Sequence, residues 1–131
     1  MNGKITFVND DSTKPSPDLP VSDTLATMIE SAVTSTKLSI NINSTTGGLH
    51  SKRSFHYYAM AVDINRIDGK AVKDSSNMQK VRALQKYLSE HPDIAECFGP
   101  FINIRVKDGV VAQKPQMQSS HLDHLHISSQ T

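Results

Sequence analysis

The order of apolar and polar positions divides the chain into elements before any single residue's chemistry matters. Behind Ser22 or Asp23 as N-cap, Leu25, Met28, Ile29, Ala32 and Val33 recur at helical spacing. They form one apolar stripe on a helix ending near Thr36. The period then changes: in KLSININS, Leu38, Ile40 and Ile42 alternate with Ser39, Asn41 and Asn43, which predicts a strand with one buried face. AMAVDI predicts another strand, which carries Asp63 and leads to a turn at Asp68 and Gly69. Met78, Val81, Leu84 and Leu88 mark a second amphipathic helix over 78–89, with Ser75 or Ser76 as its cap and Pro92 blocking its continuation. In FINIRVKDGVVA, Ile102, Ile104 and Val106 alternate with Asn103 and Arg105, and Asp108-Gly109 turns the chain into a short partner strand. HLHIS supplies the last strand. The pattern predicts an α+β fold, a small and mostly antiparallel sheet with two main helices.

Residues 9–21, NDDSTKPSPDLPV, contain three prolines among polar neighbours and have little to bury. Residues 1–21 therefore read as an N-terminal strand and an extended, Pro-rich lead-in, and 22–131 as the domain. A chain of 131 residues is long enough for one core without disulfide or metal staples. Charge narrows the partners: 14 Lys plus Arg against 13 Asp plus Glu leave a net charge of +1, which gives no basis for nucleic-acid or anionic-membrane binding. A monomer is expected. The single cysteine, Cys97, has no CxxC partner and reads as a buried or semi-buried thiol. No run approaches the roughly 18 apolar residues of a membrane span, and MNGKITFVNDDSTKP has no apolar leader. The expectation is a protein made in the cytoplasm that reaches the cell wall or periplasm only if a holin releases it or a secretion system delivers it.

Two stretches carry candidate chemistry, SFHYYAMAVD at 54–63 and HLDHLH at 121–126. A catalytic zinc takes three protein ligands from imidazoles and carboxylates and leaves one position for water. His56, Asp63 and one histidine of the second stretch supply such a set. In a strand over 124–128, His124 and His126 share one face while Leu125 and Ile127 point to the core; by this spacing either histidine could be the ligand. Asp123 stands at the strand's mouth, placed to take a proton from water. The remaining candidates read more simply. Tyr57 and Tyr58 are packing residues, His50 and His121 loop histidines, His91 a helix-end residue, and the basic positions of QKVRALQK a wet helix face.

Ser54-x-His56-x-x-Ala59-x-Ala61-x-Asp63 resembles the S-x-H-x-x-G-x-A-x-D motif of the zinc D-alanyl-D-alanine peptidases. That group joins D-Ala-D-Ala carboxypeptidases and dipeptidases, phage L-alanyl-D-glutamate endolysins and the hedgehog-type domain. The stretch GGLHSKRS before the motif and the acid-x-x-His of Asp123 to His126 are similar to it as well. The resemblance implies His56, Asp63 and His126 as ligands of one zinc ion per chain, placed at the sheet edge, and Asp123 as general base. His124 is a rival base, through its likeness to relatives with an H-x-H pair. Ala59 replaces the motif glycine. Where the family often carries an arginine ahead of the motif, Arg53, Lys52 or His50 would have to steady the substrate, beside Ser54. The implied function is a zinc metallopeptidase, endopeptidase or carboxypeptidase, that hydrolyses a D-residue-containing bond in peptidoglycan stem peptides. The alternative is a non-enzymatic, zinc-stabilised domain that binds a partner protein.

Overall fold

A computed structural model describes residues 3–7, 21–45 and 60–131. Helix α1 spans Asp23–Thr36 and begins where expected: Ser22 accepts a hydrogen bond from the backbone N–H of Leu25 at 3.2 Å. It ends at Lys37, whose left-handed backbone (φ 59°) turns the chain into the sheet. Helix α2 spans Met78–Ser89. The strands are β1 (Ile5–Thr6), β2 (Ile40–Ser44), β3 (Ala61–Ile67), β4 (Lys70–Ala71), β5 (Ile94–Phe98), β6 (Ile104–Lys107), β7 (Val110–Gln113) and β8 (Leu125–Ser129). They form one sheet in the order β1-β2-β3-β8-β5-β6-β7, with β4 paired to β3. Among the described residues only β1 and β2 run parallel; the other pairings are antiparallel. The fold is α+β. No described helix is long and apolar enough to cross a membrane.

The two-residue period of strands sorts side chains into rows across this sheet. Val62 pairs with Ile127, Ile127 with Cys97, and Cys97 with Ile104. All four are buried and join the core. The stripe of α1 and Val81, Leu84 and Leu88 of α2 belong to the same cluster. One residue along, the rows change character. Asp63 pairs with His126 and His126 with Phe98, while Ala61, Ser128, Glu96 and Arg105 form the next row. One face thus builds the core and the other carries polar chemistry.

Four sequence expectations change. Ser75 and Ser76 do not cap α2 directly. They lie in a 3-10 turn over Ser75–Asn77, where Asp74 accepts from the backbone N–H of Ser76 at 2.9 Å. The Asn77 amide that follows donates to the carbonyls of Ile67, Lys70 and Ala71, which fixes the helix start to the β3–β4 turn. Met78 belongs to the periodic stripe but, as the first residue of α2, is 50% exposed. Asn41, assigned to the wet face of its strand, is buried and is held by hydrogen bonds to Thr6 and Asn65. Strand β5 has no counterpart in the periodicity reading. Its residues are buried on both faces, so IAECF shows no apolar-polar contrast.

Gln85 is a polar residue on the buried side of α2, fully buried. Its Oε1 accepts from the backbone N–H groups of Phe101 and Ile102 at 3.0 and 3.1 Å, and its Nε2 donates to the Ile102 carbonyl at 2.8 Å. These bonds anchor the loop between β5 and β6. Gly99 opens that loop against the same side chain; a Cβ there would stand 2.5 Å from Gln85 Nε2 and from Leu125 Cδ2. Replacing Gln85 by Leu keeps the volume but strands three backbone groups, at about 1–3 kcal/mol for each group left buried and unsatisfied. Gln85→Leu is therefore expected to lower the unfolding free energy by about 3 kcal/mol or more, read from urea denaturation curves; a loss below about 1 kcal/mol would contradict the anchoring role.

Candidate functional site

Strand register brings Asp63 and His126 side by side although they stand far apart in sequence. Asp63 Oδ1 lies 3.6 Å from His126 Nδ1. The other imidazole nitrogen, Nε2, is 2.8 Å from Glu96 Oε1. Glu96 Oε2 in turn receives Arg105 Nε at 2.9 Å and Nη2 at 2.7 Å. The row continues in Ser128, whose hydroxyl donates to Glu96 Oε1 at 3.4 Å. Phe98 lies nearly parallel to the His126 ring, with centroids 5.3 Å apart. Four charged groups thus form one chain, Asp63–His126–Glu96–Arg105, on the polar face of the sheet.

Burial disfavours a charged imidazole, yet the hydrogen bonds and attraction of Asp63 and Glu96 outweigh it and push His126 up to about 9. For Glu96, burial works to raise the pKa, and His126 and Arg105 overcome it and hold the carboxyl below its usual range. Cys97 lies on the opposite, core-facing row. Burial pushes its thiol up to about 12, which makes it unreactive; Cys97 is buried, as the sequence led us to expect.

Asp123 and His124 form a second pair, Asp123 Oδ1 to His124 Nδ1 at 2.8 Å. This bond holds the Asp123 carboxyl below its usual range, so it is ionised near neutrality and able to accept a proton. Both residues line a cleft of about 580 Å³ together with Asp63, Asn43, Asn65, Arg66, Ala71, Lys73 and Ser120. His121, read from sequence as a loop histidine, belongs to this assembly. Its ring centroid is 4.8 Å from His124, 6.0 Å from His126 and 5.4 Å from Phe98, and burial lowers its pKa. The 3-10 turn over Pro115–Ser120 delivers it there, and Gln118 ties that turn to the Pro100 carbonyl at 2.7 Å.

Of the residues singled out in the sequence, Asp63, Asp123, His124 and His126 therefore come together. His56, Ser54, Arg53 and His50 lie outside the described residues. The Asp63–His126 pair stands on two interior strands and not at the sheet edge, because β5, β6 and β7 extend the sheet past β8. Glu96, Arg105 and His121 were missed. The one signal for Glu96 was a carboxylate flanked by Ala95 and Cys97, where an unpaired charge would be costly.

Two ligands of a tetrahedral zinc, each at about 2.0–2.2 Å, stand roughly 3.4 Å apart. The Asp63–His126 separation fits that spacing, and a carboxylate on the far nitrogen of the imidazole is the usual companion of a ligating histidine. Among the described residues, no third His, Cys, Asp or Glu completes a metal-holding group with them. No protein-family model, curated protein or solved structure matches the chain.

The raised value of His126 has a measurable consequence in protein stripped of metal by chelation. A histidine that titrates near 6.5 when unfolded and near 9 when folded contributes stability fully below pH 6.5 and loses it as the pH rises through 9. The unfolding free energy of the stripped protein is expected to fall across that window. His126→Gln should flatten the slope. Equal slopes in the wild type and the variant would show that His126 does not carry the proton.

Proposed function

We propose that the protein is a zinc-dependent peptidase that hydrolyses a D-residue-containing bond in peptidoglycan stem peptides. The observation that supports this most is the pairing of Asp63 with His126, a carboxylate and an imidazole at ligand spacing beside the Asp123–His124 pair. The substrate class comes from the resemblance of the two motifs to the zinc D-alanyl-D-alanine peptidases.

Asp63 and His126, with His56, would hold the metal. When bound, zinc supplies positive charge that polarises a carbonyl and makes water more acidic. Asp123, ionised and steadied by His124, takes a proton from the water that attacks the scissile carbonyl carbon. It then gives that proton to the amine nitrogen as the C–N bond breaks, so that the peptide leaves as an acid and an amine. His124 shares the proton through its 2.8 Å bond to Asp123, which makes the two a coupled unit. Lys73 and Arg66 on the cleft wall suit a short peptide bearing free carboxylates.

Elemental analysis of the purified protein is expected to give one zinc per chain, lost in His56→Ala, Asp63→Ala and His126→Ala. Asp123→Asn should retain the zinc while hydrolysis of muropeptides falls by about 10²–10⁴-fold, the usual contribution of a general acid–base group. Unimpaired turnover in Asp123→Asn would exclude it as the base. Zinc at full occupancy with no hydrolysis by the wild type, over a panel of muropeptides, would leave the zinc-stabilised binding domain in its place.

A further inference from the structure

From the hydrogen-bond chain behind His126, and resting on the zinc reading above, we infer that Glu96 and Arg105 are positioning residues that select which nitrogen of His126 meets the metal. An imidazole offers two nitrogens, and the one that holds a proton cannot be a ligand. Glu96 Oε1 is an acceptor 2.8 Å from Nε2, so when the imidazole gives up one of its two protons to bind metal, Nε2 keeps its own. Nδ1, 3.6 Å from Asp63 Oδ1, is left as the ligand atom. Arg105 fixes the carboxylate that makes this selection, with two donors on the single oxygen Oε2.

The arrangement is built into the sheet. Glu96 pairs with Arg105 on β6 and with Ser128 on β8, and His126 lies two residues before Ser128 on the same face. Glu96 is 7% and His126 9% exposed, so water has little access to replace either bond. Arg105 is the open end of the chain, its side chain 46% exposed.

The polarity can be inverted without a change in shape. In Glu96→Gln, the Arg105 guanidinium, which has only donors, claims the amide oxygen. The amide NH₂ then faces His126 Nε2, which has to accept. The proton moves to Nδ1, the nitrogen required for the metal. Removing Arg105 as well, in Glu96→Gln/Arg105→Met, frees the amide to rotate and present its oxygen to Nε2–H again.

The test is zinc affinity, measured by competition with a chromophoric chelator at one fixed pH, for the wild type, Glu96→Gln, Arg105→Met and the double variant. Thermal unfolding of each metal-free protein serves as the control for folding. Glu96→Gln is expected to bind zinc about 10–100-fold more weakly, the usual effect of losing a partner of a ligating histidine. The double variant should bind more tightly than Glu96→Gln alone. A second substitution that only added damage would lower affinity further, so the restoration is the signature of a selected nitrogen. Wild-type affinity in Glu96→Gln, or a double variant as weak as the single one, would overturn the inference and leave the zinc reading standing. A wild type that binds no zinc would overturn both.

Discussion

Strand β8 lies between β3 and β5, so the last strand of the chain has both of its edges hydrogen-bonded. Everything on the polar face depends on that insertion. It sets Asp63 against His126 on one side and Phe98 against His126 on the other. It also sets the hydrophobic row behind them, since Ile127 meets Val62 and Cys97 in the same register. A slip of one residue would turn His126 into the core and expose Leu125 and Ile127. Burial of the apolar row therefore fixes the geometry of the polar row, and the site inherits its precision from the core.

Burying charged groups such as Glu96 and His126 is costly unless they are satisfied by partners. Here each has a partner: Asp63 faces His126, His126 faces Glu96, and Glu96 receives Arg105. The charges alternate in sign, so each imidazole or guanidinium cation is flanked by carboxylate. The same alternation gives His126 two different neighbours. One nitrogen is committed to Glu96, and the other faces Asp63. The Asp123–His124 pair, at the exposed start of β8, follows a looser rule; Asp123 keeps most of its side chain in water, where a group that exchanges protons needs to be.

The helices and the hairpins were legible because their residues obey local rules. The stripe of α1 and its Ser22 cap, the Asp108-Gly109 turn with both residues at positive φ, and the alternation of Leu125 and Ile127 each follow from a few adjacent positions. Asp63, Asp123, His124 and His126 were legible as candidates because such side chains stand out among apolar neighbours. Strand β5 was not, since a strand buried on both faces lacks the contrast that periodicity detects. Gln85 and Glu96 were hidden for a related reason: their partners are a loop and a strand that local pattern does not bring near.

The sequence by itself determined the local conformations, the α+β class and which side chains could bind a metal or move a proton, because propensity, capping and periodicity act within a few residues. Only the tertiary structure decided that Asp63 and His126 meet, that Glu96 and Arg105 stand behind them, and that His121 joins the cluster. Those contacts arise from the order of strands in the sheet. That order is set by which apolar rows bury best together, a property of the whole chain and not of any segment of it.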